Sequence, residues 1–126
     1  MSFSHLISYG VSINGTSPTT FNSSQTFDGQ FALEVAVPAA STNFSIICPV
    51  DASQVKSVVM WASAACTVVC KDGAGATVNT FVFTADKPLI WQFGFPTSNP
   101  VTGDYATIEV TCTPAVLLTG YFGQDV

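Results

Sequence analysis

Apolar and polar residues alternate at every second position through most of the chain. Between Phe3 and Ile13 the odd positions Phe3, Ile7, Tyr9, Val11 and Ile13 are apolar, and Ser4, Ser8 and Ser12 take even ones. Successive side chains of a strand point to opposite faces, so this spacing predicts a strand with one apolar side. Residues 14–24, Asn-Gly-Thr-Ser-Pro-Thr-Thr-Phe-Asn-Ser-Ser, read by composition as a loop or arm. A second alternating run sets Phe27, Phe31, Leu33, Val35 and Val37 against Asp28, Gln30 and Glu34, and Pro38 ends it. Further short strands are predicted near 44–48, 54–63, 65–71, 76–84, 88–95, 105–113 and 115–122, the spacing of a sandwich or barrel. In the 105–113 strand, Ala106, Ile108, Val110 and Cys112 read as inward, and Tyr105, Thr107, Glu109 and Thr111 as outward.

No window sustains a 3.6-residue period, and β-branched residues crowd every segment. Lys71-Asp72-Gly73-Ala74-Gly75 reads as a hairpin turn whose glycines permit positive φ. The expected fold is all-β: a jelly-roll-like two-sheet antiparallel sandwich of about 8–9 short strands. Residues 1–24 form an N-terminal strand, arm and loop, and residues 25–126 the sandwich domain. At 126 residues there is room for one core and little more.

One strand departs from simple alternation. In 54–63, Val55, Val59 and Trp61 share one face, and Val58, Met60 and Ala62 share the other. A strand apolar on both faces must be covered on both. The opposite sheet covers one face; a neighbouring subunit or a flanking loop would cover the second. Val58 and Met60 are the residues expected at a subunit interface, with Phe3, Ile7 and Tyr9 as apolar anchors of the N-terminal arm.

Charge changes the picture of the surface. Only 9% of residues are Asp, Glu, Lys or Arg, against about 25% in an ordinary soluble domain. Arginine is absent, and 15 Thr and 13 Ser supply the exterior polar groups instead. Such a surface repels neighbours weakly and suits large subunit contacts, since charge depletion marks interface cores. A net charge of -5 without arginine argues against nucleic acid and against an anionic membrane surface. The N-terminal residues show neither a basic region nor a continuous apolar stretch of the signal-peptide kind, and the longest nearly apolar run, Val58 to Cys66, is half a membrane span. Synthesis in a cytosol is the expectation.

Candidate chemistry is sparse. Cys66 and Cys70 lie four apart on a strand, about 13 Å along one face, too far to bond or to share a tetrahedral metal. Cys48 and Cys112 could pair with them across the fold, but the expected cytosolic origin favours buried free thiols for all four. His5 is the sole histidine and sits in a terminal strand, a poor place for a general base. The carboxylates are scattered, so paired acid–base work is not indicated. Asp51, Asp72, Asp86 and Asp104 fall in turns without calcium-ligand spacing. Trp61 and Trp91, with Phe93 and Phe95, are weighed as a sugar-stacking platform, but both tryptophans lie in phase with apolar neighbours and read as core. No metal, cofactor or catalytic residue is expected.

From Val55 onward the segments VKSVVMWAS (55–63), CTVVCKDG (66–73), FVFTADKPLIWQFG (81–94), NPVTGD (99–104) and YATIEVTCTPAVLLTGYF (105–122) carry a resemblance. In order and spacing, and in Pro88, Trp91 and the Asn99-Pro100 turn, they resemble small all-β virion proteins of tailed bacteriophages, nearest to the capsid cement or decoration proteins. The resemblance spans about residues 55–124, and the first 54 residues match no family pattern. It implies a non-enzymatic homotrimer on the virion surface, made in the host cytoplasm, with the major capsid protein as partner. The alternative expectation is a module associated with a tail or fibre that binds host glycans through its aromatics.

Overall fold

The computed structural model describes residues 2–85 and 87–125, and among them are ten strands. These are β1 (Phe3–Val11), β2 (Thr19–Phe27), β3 (Gly29–Val37), β4 (Ser41–Val50), β5 (Val55–Ala62), β6 (Cys66–Lys71), β7 (Thr77–Phe83), β8 (Leu89–Gln92), β9 (Tyr105–Cys112) and β10 (Val116–Gln124). Eight of them build two four-stranded antiparallel sheets: sheet B in the order β3-β10-β5-β8, and sheet C in the order β4-β9-β6-β7. The chain changes sheet at every connection of the sandwich except the β6–β7 hairpin, which is the jelly-roll connectivity. β1 and β2 pair only with each other, as a two-stranded ribbon.

The sandwich follows from the alternation. On β9, Ile108, Val110 and Cys112 are buried, and on β6 Cys66, Val68 and Cys70. The facing sheet contributes Leu33, Val37, Val58, Met60, Leu118 and Phe122 to the same core. In the β6–β7 turn, Asp72 Oδ1 accepts from the Ala74 and Ala76 amides, and Gly75 adopts φ +84°. That backbone angle favours glycine.

Four expectations are corrected. Val58 and Met60 are completely buried in the chain's own core, because they share the inner face with Leu118, Gly120 and Phe122 of β10. The outward residues of β5 are Val59 and Trp61. Tyr105, the first residue of β9, turns inward, with its ring edge-on to Phe122 and its hydroxyl donating to Asn79 at 2.6 Å. The stretch expected as a loop from 14 to 24 instead contains most of β2, and the single run through 27–37 is broken at Asp28 into β2 and β3.

Because Met60 fills core and not interface, Met60→Ala should destabilise the chain by about 2–5 kcal/mol. Denaturant titration should show the same loss across protein concentrations; a loss confined to high concentration would return Met60 to an interface.

Candidate interaction site

The β1–β2 ribbon is a hairpin whose tip is encoded locally. Asn14 and Gly15 adopt φ +52° and +73°, and the Thr16 amide bonds the Ile13 carbonyl at 3.1 Å. Two successive positive φ values define a type I′ turn, which matches the right-handed twist of paired strands. An Asn-Gly pair after an alternating strand is the signal that could have revealed the hairpin.

The base of the hairpin sits on the outer face of sheet B. Ser57 Oγ lies 2.8 Å from His5 Nδ1, and His5 Nε2 lies 2.7 Å from Gln30 Oε1. Gln92 Nε2 donates to the His5 carbonyl at 3.1 Å and contacts Ser57 Oγ at 3.4 Å. Ser23 Oγ donates to Gln92 Oε1, and Gln25 Nε2 donates to the Phe93 carbonyl. A neutral imidazole with its proton on Nε2 satisfies this set: Ser57 donates to Nδ1, and Nε2–H donates to Gln30. Among the described residues no buried side-chain nitrogen or oxygen lacks a partner. Phe27 completes the seat. A Cβ on Gly123 would collide with the Phe27 ring, so β10 carries glycine where that ring packs against it. Phe27 also meets His5 edge-on at 4.6 Å.

The His5–Ser57 distance is that of a base and its nucleophile. Ser57, however, exposes none of its surface, so its hydroxyl is a fastening for the hairpin in this arrangement.

Only the lower half of the hairpin is seated. Phe3 and His5 are half-buried and Ile7 is buried, whereas Ser8 through Asn22 are all exposed. Tyr9 and Phe21 are register partners and stack at 5.2 Å. They continue the face that Ile7 presents to sheet B, but they are 48% and 46% exposed. Leu6, on the opposite face, is 72% exposed, and Ile13 near the tip 64%. The three predicted anchors therefore divide: Phe3 and Ile7 hold the hairpin to its own domain, and Tyr9 belongs to the overhang.

The rest of the outer face of sheet B is also apolar. Val59, Tyr121 and Ile90 align across β5, β10 and β8, with Trp61 beside Thr119. Trp61 is 39% exposed, tilted against Tyr121 at 6.0 Å. Its expected core role is corrected: β5 turns it outward, while Trp91 is buried and donates from Nε1 to the Thr97 carbonyl at 2.9 Å. Phe93 is exposed under Lys56 Nζ, 4.5 Å from the ring centroid, and Phe95 packs half-buried against the core. The outer face of sheet C mixes Thr67, Thr107, Thr111 and a Lys71–Glu109 ion pair at 3.2 Å with two separate exposed apolar residues, Ile47 beside Thr107 and Val82 beside Thr67.

The loop carboxylates each have local work. Asp51 caps the short turn at Ala52–Gln54 by accepting from the Ser53 amide and hydroxyl, and Asp104 accepts from the Ala52 amide at 2.9 Å. Asp86 lies outside the described residues. All four cysteines are buried and unbonded. Burial, and then the nearby Cys70 thiol, push Cys48 up to about 12. Burial pushes Cys70 up to about 11, opposed by a hydrogen bond with Tyr105. The Tyr105 hydroxyl is itself raised, first by burial and then by Cys70.

No family model matches the chain, and no curated protein does. Among solved structures, a protein of Bacillus endospore appendages, described as disulfide-linked pili, is 12% identical at a TM-score of 0.41, over 78% of this chain and 87% of that one. A structure of the infectious bursal disease virus Gx strain is 14% identical at a TM-score of 0.33, over 89% of this chain and 34% of that one. A likeness at this level carries no functional implication.

The buried thiols set an alkaline limit. Their pKa values in the fold exceed those of the unfolded chain, so their contribution is intact below about pH 9 and is lost as pH climbs toward about 11 and 12. Stability should fall by about 1.4 kcal/mol per pH unit for each of the two thiols in that window. Denaturant titrations from pH 8 to 11 check this, and a Cys48→Ala/Cys70→Ala variant should show a shallower slope; equal slopes would refute the assignment.

Proposed function

We propose that this chain is a non-enzymatic structural protein of a phage virion, a capsid cement protein that binds the major capsid lattice as a homotrimer. The observation that carries the reading is the overhang of the β1–β2 hairpin. Its base is fastened by five hydrogen bonds, while its upper half presents Tyr9, Val11, Ile13 and Phe21 to solvent. The Tyr9–Phe21 stack supports the hairpin itself, but it leaves both rings about half exposed, and a surface supplied by another chain would cover them.

That surface is available on an identical copy. The outer face of sheet B, with Val59, Trp61, Ile90 and Leu117, is the kind of face on which the hairpin's own base already sits. A head-to-tail contact between unlike patches closes into a ring when its rotation allows, and threefold closure agrees with the family resemblance over residues 55–124. The low charge of the chain supports close subunit contact. The side of the trimer away from these contacts then meets the capsid.

The exposed Trp61–Tyr121 pair favours a second reading, a tail or fibre module that stacks a host sugar in the shallow depression lined by Val59, Trp61, Pro88 and Ile90.

Joining Ile7 to Ser23 through Asn-Gly removes the overhang and keeps the seated base. The shortened chain should retain its melting temperature to within a few degrees and lose assembly in light scattering, along with binding to capsids that lack the protein. A shortened chain that assembles and binds undiminished would remove the hairpin from the mechanism. A wild-type chain that stays monomeric at high micromolar concentration would remove the trimer. Retention on glycan arrays that Trp61→Ala abolishes would favour the second reading.

A further inference from the structure

Two of the four thiols stand together at a surface that the hairpin does not touch. Cys66 begins β6, Cys112 ends β9, and the rung next to them pairs Thr67 with Thr111. One further step of that register places Cys66 opposite Cys112, both on the inner face of sheet C. Directly opposed strand residues carry Cβ atoms about 4.5–5.5 Å apart, and a disulfide needs about 3.5–4.5 Å. A movement on the order of 1 Å closes the gap. Both residues lie one step beyond the last β6–β9 rung, with Cys66 paired to Phe83 of β7 and Cys112 to Ser41 of β4.

Access separates this pair from the other. Cys66 and Cys112 are 6% and 7% exposed and line an open cleft of about 590 Å³ with Ser41, Thr84 and Pro114. The Cys112 thiol donates to the Pro38 carbonyl at 3.4 Å, a bond it gives up when the disulfide closes. Cys48 and Cys70 are fully enclosed.

We propose that Cys66 and Cys112 form a dithiol site that closes to an intramolecular disulfide by exchange with a small-molecule disulfide such as oxidised glutathione, while Cys48 and Cys70 remain thiols. One thiolate of the pair attacks the glutathione disulfide, forming a mixed disulfide and releasing one glutathione thiolate. The second protein thiol, deprotonated, attacks the protein sulfur of that mixed disulfide and releases the second glutathione. The protein loses two electrons and two thiol protons, and both reach the two glutathione molecules as thiols. The new bond staples β6 to β9 at the end of sheet C that borders the cleft. A chain made reduced and later carried into oxidising surroundings would thus gain a cross-link after folding. This chemistry does not depend on the virion assignment.

The folded full-length chain is incubated with millimolar oxidised glutathione, then denatured and alkylated, and its intact mass and peptides are measured. The expected product is lighter by two hydrogen atoms before alkylation, takes up two alkyl groups, and yields a Cys66–Cys112 cross-linked peptide. Its melting temperature should rise by several degrees, because the cross-link restrains the unfolded chain. Cys66→Ser should instead stop at a mixed disulfide on Cys112. In an independent arm, a trivalent arylarsenical, which bridges two neighbouring thiols, should bind the folded wild-type chain one to one and fail to bind Cys112→Ser. Four alkylated thiols after oxidation, a bond involving Cys48 or Cys70, or a cross-link between chains would each overturn the proposal.

Discussion

Sheet B is apolar on both faces, and the rest of the molecule is arranged around covering it. Its inner face meets sheet C, and the contact buries Met60, Leu118 and Phe122 against Val68, Ile108 and Val110. Its outer face has no second sheet. Only the base of the β1–β2 hairpin lies there, resting Phe27 against Gly123 and His5 against Ser57 and Gln30. Apolar surface removed from water is worth roughly 25 cal/mol per Å². The remainder, with Trp61, Ile90 and Leu117, stays partly exposed to water.

The seat of the hairpin is polar for a physical reason. Apolar contact alone is non-directional and would let a two-stranded ribbon slide or rotate on a flat sheet. The hydrogen bonds of His5, Ser23 and Gln25 to Ser57, Gln30, Gln92 and the Phe93 carbonyl have fixed lengths and directions. Each is modest in net energy, but leaving the buried Ser57 or Gln92 unpaired would cost about 1–3 kcal/mol. The result is a defined register, and with it a defined direction for the overhang.

Sheet C plays the opposite part. Its outer face carries mostly threonines and the Lys71–Glu109 pair, which water solvates well, with Ile47 and Val82 exposed among them. Its inner face carries all four cysteines, packed as small apolar groups whose ionisation burial suppresses at Cys48, Cys66 and Cys70. Cys66 and Cys112 differ from the deeper pair in position along the strands and in access, not in residue type. That difference belongs to the ladder ends and the cleft.

The sequence by itself determined the all-β class, the sandwich, the β6–β7 turn and most inward residues of β9. Those features depend on period-two alternation and on local turn chemistry, which a linear chain displays. It also carried the hairpin, in Asn14-Gly15, although the Ser/Thr-rich composition of 14–24 reads as a loop. What lay beyond it was sidedness. Val58/Met60 and Val59/Trp61 are equally apolar, and only the pairing of β5 with β10 in sheet B sends the first pair inward and the second out. His5 gained its role from Ser57 and Gln30, which are 52 and 25 residues away. The division of Phe3 and Ile7 from Tyr9 came from where sheet B ends beneath the hairpin. Alternation states that a strand has two faces; which face meets the core, and how far the surface beneath it extends, are properties of the other strands.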